Sequence, residues 1–146
     1  MVEVSYETTI ERPVEEVFRV ASDPKAQLEW DDRMTSVQPL SEAPLERGAT
    51  FRARFRRMGS VTYEYADFDP PRRFSHRSRM PFGTMTHVFT FDPTASGTRM
   101  VQVGRMEPTA LGRLLAPVVR RMLAKRFPQI AGDLRAYLGR LPRAAG

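Results

Sequence analysis

Hydrophobic and polar residues alternate along most of the chain. In "VEVSYETTI", Val2, Val4, Tyr6, Thr8 and Ile10 fall on one side and Glu3, Ser5, Glu7 and Thr9 on the other, the period-2 pattern of a half-buried strand. "RPVEEVFRVASDP" then predicts a short helix. Pro13 suits a first turn, Glu15 and Glu16 favour the positive N-terminal end, and Val14, Val17 and Phe18 make one apolar face. Ser22 and Asp23 favour a turn, and the residue before Pro24 avoids the helical region, so the helix stops there. A second short helix, "PKAQLEW", ends near Trp30.

Strands dominate the middle. Met34 to Leu40 is a weak one, and "SEAPLERG" is a loop. Phe51, Ala53 and Phe55 alternate with Arg52, Arg54 and Arg56, and Val61, Tyr63 and Tyr65 with Thr62, Glu64 and Ala66. Past the turn "DPPRR", Phe74, His76, Ser78 and Met80 alternate with Ser75, Arg77 and Arg79; Met85, His87, Phe89 and Phe91 alternate with Thr84, Thr86, Val88 and Thr90. "DPTASG" leads into a last strand, "TRMVQVGRM", which reads either way: Val101, Val103 and Arg105 inward, or Met100, Gln102 and Met106 inward. Short strands joined by tight turns predict an antiparallel meander.

From Pro108 the period changes. Leu111, Leu114, Leu115, Val118, Val119, Met122, Leu123, Phe127, Ile130, Leu134 and Leu138 recur at helical spacing. Pro117 and Pro128 each remove a backbone donor, which predicts a break near the first and a kink near the second. The end, residues 141–146, is expected to fray. The result is an α+β fold of about seven antiparallel strands, with two short helices between strands 1 and 2 and a long C-terminal helix. Residues 1–146 suit one domain with one core.

Composition narrows the function. The net charge of +6 rests almost wholly on arginines spread from Arg12 to Arg143, with Lys25 and Lys125 the only lysines. A dispersed charge of this kind reads as a solvated basic surface, and no nucleic-acid partner is expected. The chain has no cysteine, so it has no disulfide framework and no thiol nucleophile. No apolar run approaches the roughly 20 residues of a membrane span, and no signal pattern opens the chain. A cytoplasmic protein of bacterial type, monomeric or homodimeric, is the expectation. No dinucleotide turn, P-loop, H-E-x-x-H or Ser-His-Asp order occurs, and no cofactor or metal is expected.

"IERPVEEVF" at Ile10 to Phe18, Asp23–Pro24, Trp30, "DPPRRF" at Asp69 to Phe74, "GTR" at Gly97 to Arg99 and the final "LGRLLAPVVRRMLAKRF" follow one another in a fixed order. In that order they resemble the START/birch-pollen-allergen-like (SRPBCC) superfamily, in its polyketide cyclase/dehydrase-like branch, over nearly the whole chain. The resemblance implies a helix-grip fold, with a curved antiparallel sheet wrapped around the long helix and a cavity between them. It also implies apolar ligands such as lipids or polyketides, with aromatase/cyclase activity in some members.

The chain has two histidines, His76 and His87. If Arg79 pairs with Thr84 across "MPFG", then His76 pairs with His87. A one-residue slip would turn Phe89 and Phe91 out of the core. Extending the same count one strand back, with Asp67 opposite Arg72, sets Tyr63 opposite His76 and Tyr65 opposite Phe74. The expected cavity wall is a polar row, Tyr63–His76–His87, among aromatic residues. The candidate ligand-binding residues are Phe51, Phe55, Tyr63, Tyr65, Phe74, His76, His87, Phe89, Trp30 and Met122.

That row supports four readings from sequence. The histidines satisfy each other, Tyr63 or buried water; they orient a hydrophobic or aromatic ligand; they move protons with Tyr63, as catalytic groups of a cyclase or dehydratase; or they bind a metal, for which two histidines are too few. Whether the protein is an enzyme stays open at this point. The Arg52, Arg54, Arg56, Arg77 and Arg79 face reads as solvated, with a protein-docking surface as the alternative. Trp30 reads as a packing residue at the cavity mouth, the methionines as pocket or core filler, and Asp31–Asp32 as a solvated loop.

Overall fold

The computed structural model describes residues 1–42 and 44–142. In chain order the elements are β1 (Val2–Ile10), α1 (Val14–Ser22), α2 (Pro24–Trp30), β2 (Met34–Pro39), β3 (Thr50–Phe55), β4 (Gly59–Asp69), β5 (Arg73–Met80), β6 (Gly83–Pro93), β7 (Thr98–Pro108) and α3 (Ala110–Arg140). All seven strands form one curved antiparallel sheet in the order β1-β7-β6-β5-β4-β3-β2. The two short helices connect its opposite edges, and α3 packs across β1 and β7.

Local chemistry accounts for the boundaries. Asp23 ends α1 and caps α2, its carboxylate accepting from the Lys25 amide at 2.9 Å, with Pro24 at the first helical position. Thr109 caps α3 by accepting from Gly112 N–H at 3.2 Å, and its hydroxyl donates to the Pro81 carbonyl. Gly112 sits hard against the β5–β6 turn: a Cβ there would lie 1.7 Å from the Phe82 carbonyl oxygen. The hairpin tip is therefore pinned to the start of α3.

The expected break at Pro117 does not occur; α3 runs unbroken through Pro117 and Pro128. The carbonyls that lose their partners belong to residues four positions earlier, Arg113 and Ala124. Both residues are exposed, so water satisfies what the prolines remove, while buried Val119, Leu123, Phe127, Ile130, Leu134 and Leu138 hold the helix to the sheet. Of the tail expected to fray, residues 143–146 lie outside the described residues.

The β5–β6 register is the one the alternation predicts: Arg79 faces Thr84 and His76 faces His87. The β4–β5 register is not. Tyr65, rather than Tyr63, lies opposite His76, and Phe68 lies opposite Phe74. Pairing extends to Asp69 and Arg73, leaving a three-residue turn, and a bulge between Tyr65 and Asp67 absorbs one residue. The net slip is two residues. From Tyr65 back along β4 the even slip keeps side chains on their expected face, so Tyr63 still points inward and its ring centroid lies 4.7 Å from that of His76. Between the bulge and the turn the faces swap, with Asp67 outward and Phe68 packed against the core.

On β7, Met100, Gln102 and Met106 are the inward set and fully buried. The outer face is laced with ion pairs: Arg77 with Glu64, Arg73 with Asp67, Arg99 with Glu7 and Asp92, and Arg105 with Glu3. These pairs agree with a solvated outer face, but Arg56 is not on it: β3 ends at Phe55, and Arg56 lies in the following turn and lines the cavity.

Candidate functional site

A cavity of about 360 Å³ opens between the sheet and α3. Its lining includes Tyr63, His76, His87, Phe89, Met85 and Phe127. Exposed Arg56, Arg57 and Met58 of the β3–β4 turn and exposed Met122 mark its mouth, with half-buried Arg33 and buried Trp30 also in the lining. Of the sequence-derived candidates, Phe55, Tyr63, His76, His87, Phe89, Trp30 and Met122 line it. Phe51, Tyr65 and Phe74 do not. Phe74 is buried in a cluster with Phe18, Phe89 and Phe91. Tyr65 donates its hydroxyl to the Ser22 carbonyl at 2.6 Å, and Phe51 stacks behind Tyr63. The concave face of the sheet is longer than the cavity, and α1 plugs its far end with Phe18.

His87 is held by ring stacking and by one hydrogen bond. Its ring stacks on Phe127 at 4.5 Å between centroids, nearly parallel. Gly104 permits this, because a Cβ there would come within 2.6 Å of the Phe127 ring. His87 Nε2 lies 3.0 Å from Gln102 Oε1, and Gln102 Nε2 donates to the Phe127 carbonyl at 3.1 Å. A carbonyl accepts only, so Gln102 must aim its NH₂ at Phe127 and its oxygen at His87. That fixes the proton of neutral His87 on Nε2 and leaves Nδ1 as an acceptor. Gln102→Leu strands the His87 N–H and is expected to destabilise the fold by about 1–3 kcal/mol, read from the urea midpoint. An unchanged midpoint would show that the relay carries no energy.

His76 is bound differently. Its ring packs between Tyr63 and Tyr65, but its Nε2 has no hydrogen-bond partner in the protein, and neither has the Tyr63 hydroxyl. Gln129 Oε1 on α3 is the third such buried atom among the described residues. The two histidines do not satisfy each other. Burial lowers the His76 pKa to about 3, with the neighbouring His87 adding to the effect. Burial lowers that of His87 to about 4; the Gln102 hydrogen bond opposes this and the Arg126 charge reinforces it. Burial also raises the Tyr63 phenol. All three groups are neutral at pH 7.

The reading of Asp31 as part of a solvated loop is wrong. Asp31 is buried at the end of α2, where both carboxylate oxygens accept from Arg126 Nη2 of α3 at 2.8 Å. It also accepts from Gln27 Nε2 and the Arg33 amide. Asp32 beside it is exposed. Among the described residues no three His, Cys, Asp or Glu side chains group as metal ligands.

A family model described as "Polyketide cyclase / dehydrase and lipid transport" matches residues 1–139. The chain belongs to this family. Comparison with curated proteins gave no match. Among solved structures, the polyketide cyclase/dehydrase fold of this chain is similar to MLL2253 from Mesorhizobium loti, with 18% identity and a TM-score of 0.77 over 96% of this chain and 98% of that one. It is similar to TTHA0849 from Thermus thermophilus, at 23% identity and a TM-score of 0.73 over 92% and 94%. It is also similar to the di-domain ARO/CYC BexL from the BE-7585A biosynthetic pathway, at 14% identity and a TM-score of 0.79, covering 96% of this chain and 50% of BexL. Among the described residues of this family member, no helix is long and apolar enough to cross a membrane.

Proposed function

We propose that this protein binds a hydrophobic or aromatic small molecule, polyketide- or lipid-like, in the cavity between sheet and α3. One observation carries the reading: Tyr63 and His76 lie side by side in the cavity lining with Phe89 and Phe127, and Tyr63 Oη and His76 Nε2 have no protein partner among the described residues. A buried polar atom without a partner is costly, and an apolar pocket with a few convergent polar groups is how small-molecule sites are built. The family's association with polyketides and lipid transport agrees with such a ligand.

Catalysis by these groups is the weaker reading. Proton transfer is most efficient when the pKa of the catalytic group lies near the working pH, and both histidines lie well below it. A cyclase or dehydratase role for His76, His87 and Tyr63 would need a substrate that lifts those values.

The matched probes 2-naphthol and naphthalene test the binding role, each displacing the fluorescent dye N-phenyl-1-naphthylamine. The hydroxyl of 2-naphthol is expected to add about tenfold in affinity, roughly one hydrogen bond. His76→Leu combined with Tyr63→Phe should erase that excess and leave naphthalene binding intact. Equal affinities for the two probes in the wild type would defeat the proposal.

A further inference from the structure

We infer that the ligand carries an anionic head group, held at the cavity mouth by Arg33, Arg56 and Arg57 while its apolar body lies against Phe89 and Phe127. This inference rests on the binding role proposed above and specifies the chemistry of the ligand.

Four guanidinium groups line the cavity, those of Arg33, Arg56, Arg57 and Arg126, against a single carboxylate, that of Asp31. Asp31 is already engaged, since both of its oxygens accept from Arg126. Arg33, Arg56 and Arg57 form no ion pair among the described residues. On the outer sheet face Arg73, Arg77, Arg99 and Arg105 each meet an acid, while Arg52, Arg54 and Arg79 stand without one among the described residues. What distinguishes Arg33, Arg56 and Arg57 is that they gather at one cavity. The three unpaired cations are also clustered by the backbone: Arg56 N–H donates to the Arg33 carbonyl at 2.8 Å, and Arg57 is the next residue.

The Arg57 backbone adds independent support. Its φ is +69°, in the left-handed region that Gly or Asn occupies with least strain. An arginine at the centre of the three-residue turn between Phe55 and Gly59 strains the backbone where a smaller residue would not, and its side chain lines the mouth. Guanidinium groups recognise carboxylate, sulfonate and phosphate oxygens alike, so the shared feature is an oxyanion on an apolar body. The wall groups Tyr63 and His76 are neutral, and so the charge selection falls to the mouth.

The test uses two dyes that share an anilinonaphthalene body, 8-anilinonaphthalene-1-sulfonate and uncharged N-phenyl-1-naphthylamine. The sulfonate is expected to bind about tenfold more tightly at low salt, with the advantage shrinking as ionic strength rises. In Arg33→Gln/Arg56→Gln/Arg57→Asn, which keeps a residue tolerant of positive φ at the turn, the two dyes should bind alike, with the neutral dye unchanged from wild type. Unchanged binding of the neutral dye also reports an intact fold. Equal binding of both dyes to the wild type, a preference that survives in the variant, or sulfonate binding that the neutral dye does not displace would each overturn the head-group assignment and leave the binding role standing. Failure of the neutral dye to bind at all would overturn both.

Discussion

Arg126→Met should destabilise the protein by roughly 3–5 kcal/mol, the cost of leaving a buried carboxylate without its counter-ion. The Asp31 side chain has no exposed surface and that of Arg126 is 15% exposed, so water cannot replace the lost charge. Two further donors, the Arg33 amide and Gln27 Nε2, remain on Asp31, but neither carries charge. The pair joins the end of α2 to the middle of α3 across the cavity mouth, next to Trp30, whose indole N–H is tied to the Val20 carbonyl. Urea unfolding gives the measurement, as a lower midpoint with little change in slope. Asp31→Asn in the same background removes the stranded charge and should recover a large part of the loss. If Arg126→Met unfolds at the wild-type midpoint, Asp31 is hydrated and the pair contributes nothing.

Sequence could not reveal this pair, and the reason is physical. "WDDRM" gives two adjacent acids after a helix, and only the packing of α3, some 95 residues later in the chain, decides which of them is buried. The hairpin holding both histidines was legible because burial of one face punishes a single-residue slip in every position at once. The preceding hairpin misled by two residues because nothing in "EYADFDPPRRF" marks a bulge. Parity survived for Tyr63 and Tyr65 because the turn and the bulge err by an even sum, but not for Asp67 and Phe68, which lie between the two. The last strand could not be decided from pattern, since Val101 and Val103 on one face and Met100 and Met106 on the other are equally apolar. The deciding residue, Gln102, is a polar side chain whose burial depends on His87 and the Phe127 carbonyl. Inward orientation was also an incomplete guide to the site. Phe74 and Tyr65 point inward as expected, but Phe18 and the Ser22 carbonyl from α1 claim them before the cavity begins.

The largest pH effect is expected on the acid side of neutrality. In the unfolded chain each histidine takes up a proton near pH 6.5; in the fold, His76 does so only near 3 and His87 near 4. Between those limits the unfolded state binds more protons than the native state, so stability rises with pH through this window and is fully present above it. Lowering the pH from about 7.5 to about 5 should therefore cost about 2 kcal/mol for each histidine. Asp67, whose carboxyl is lowered chiefly by its hydrogen bond from Ser75, loses its contribution only below its ordinary range, at more acid pH. Urea midpoints at pH 7.5, 6 and 5 would trace the slope. His76→Phe keeps an aromatic ring between Tyr63 and Tyr65, removes one titrating group, and should roughly halve the slope. A wild-type midpoint that stays flat to pH 5 would mean that both rings titrate as free imidazoles. Water would then reach them, and the cavity wall would not be the dry surface on which the neutral hydrogen-bonding role of His76 and Tyr63 depends.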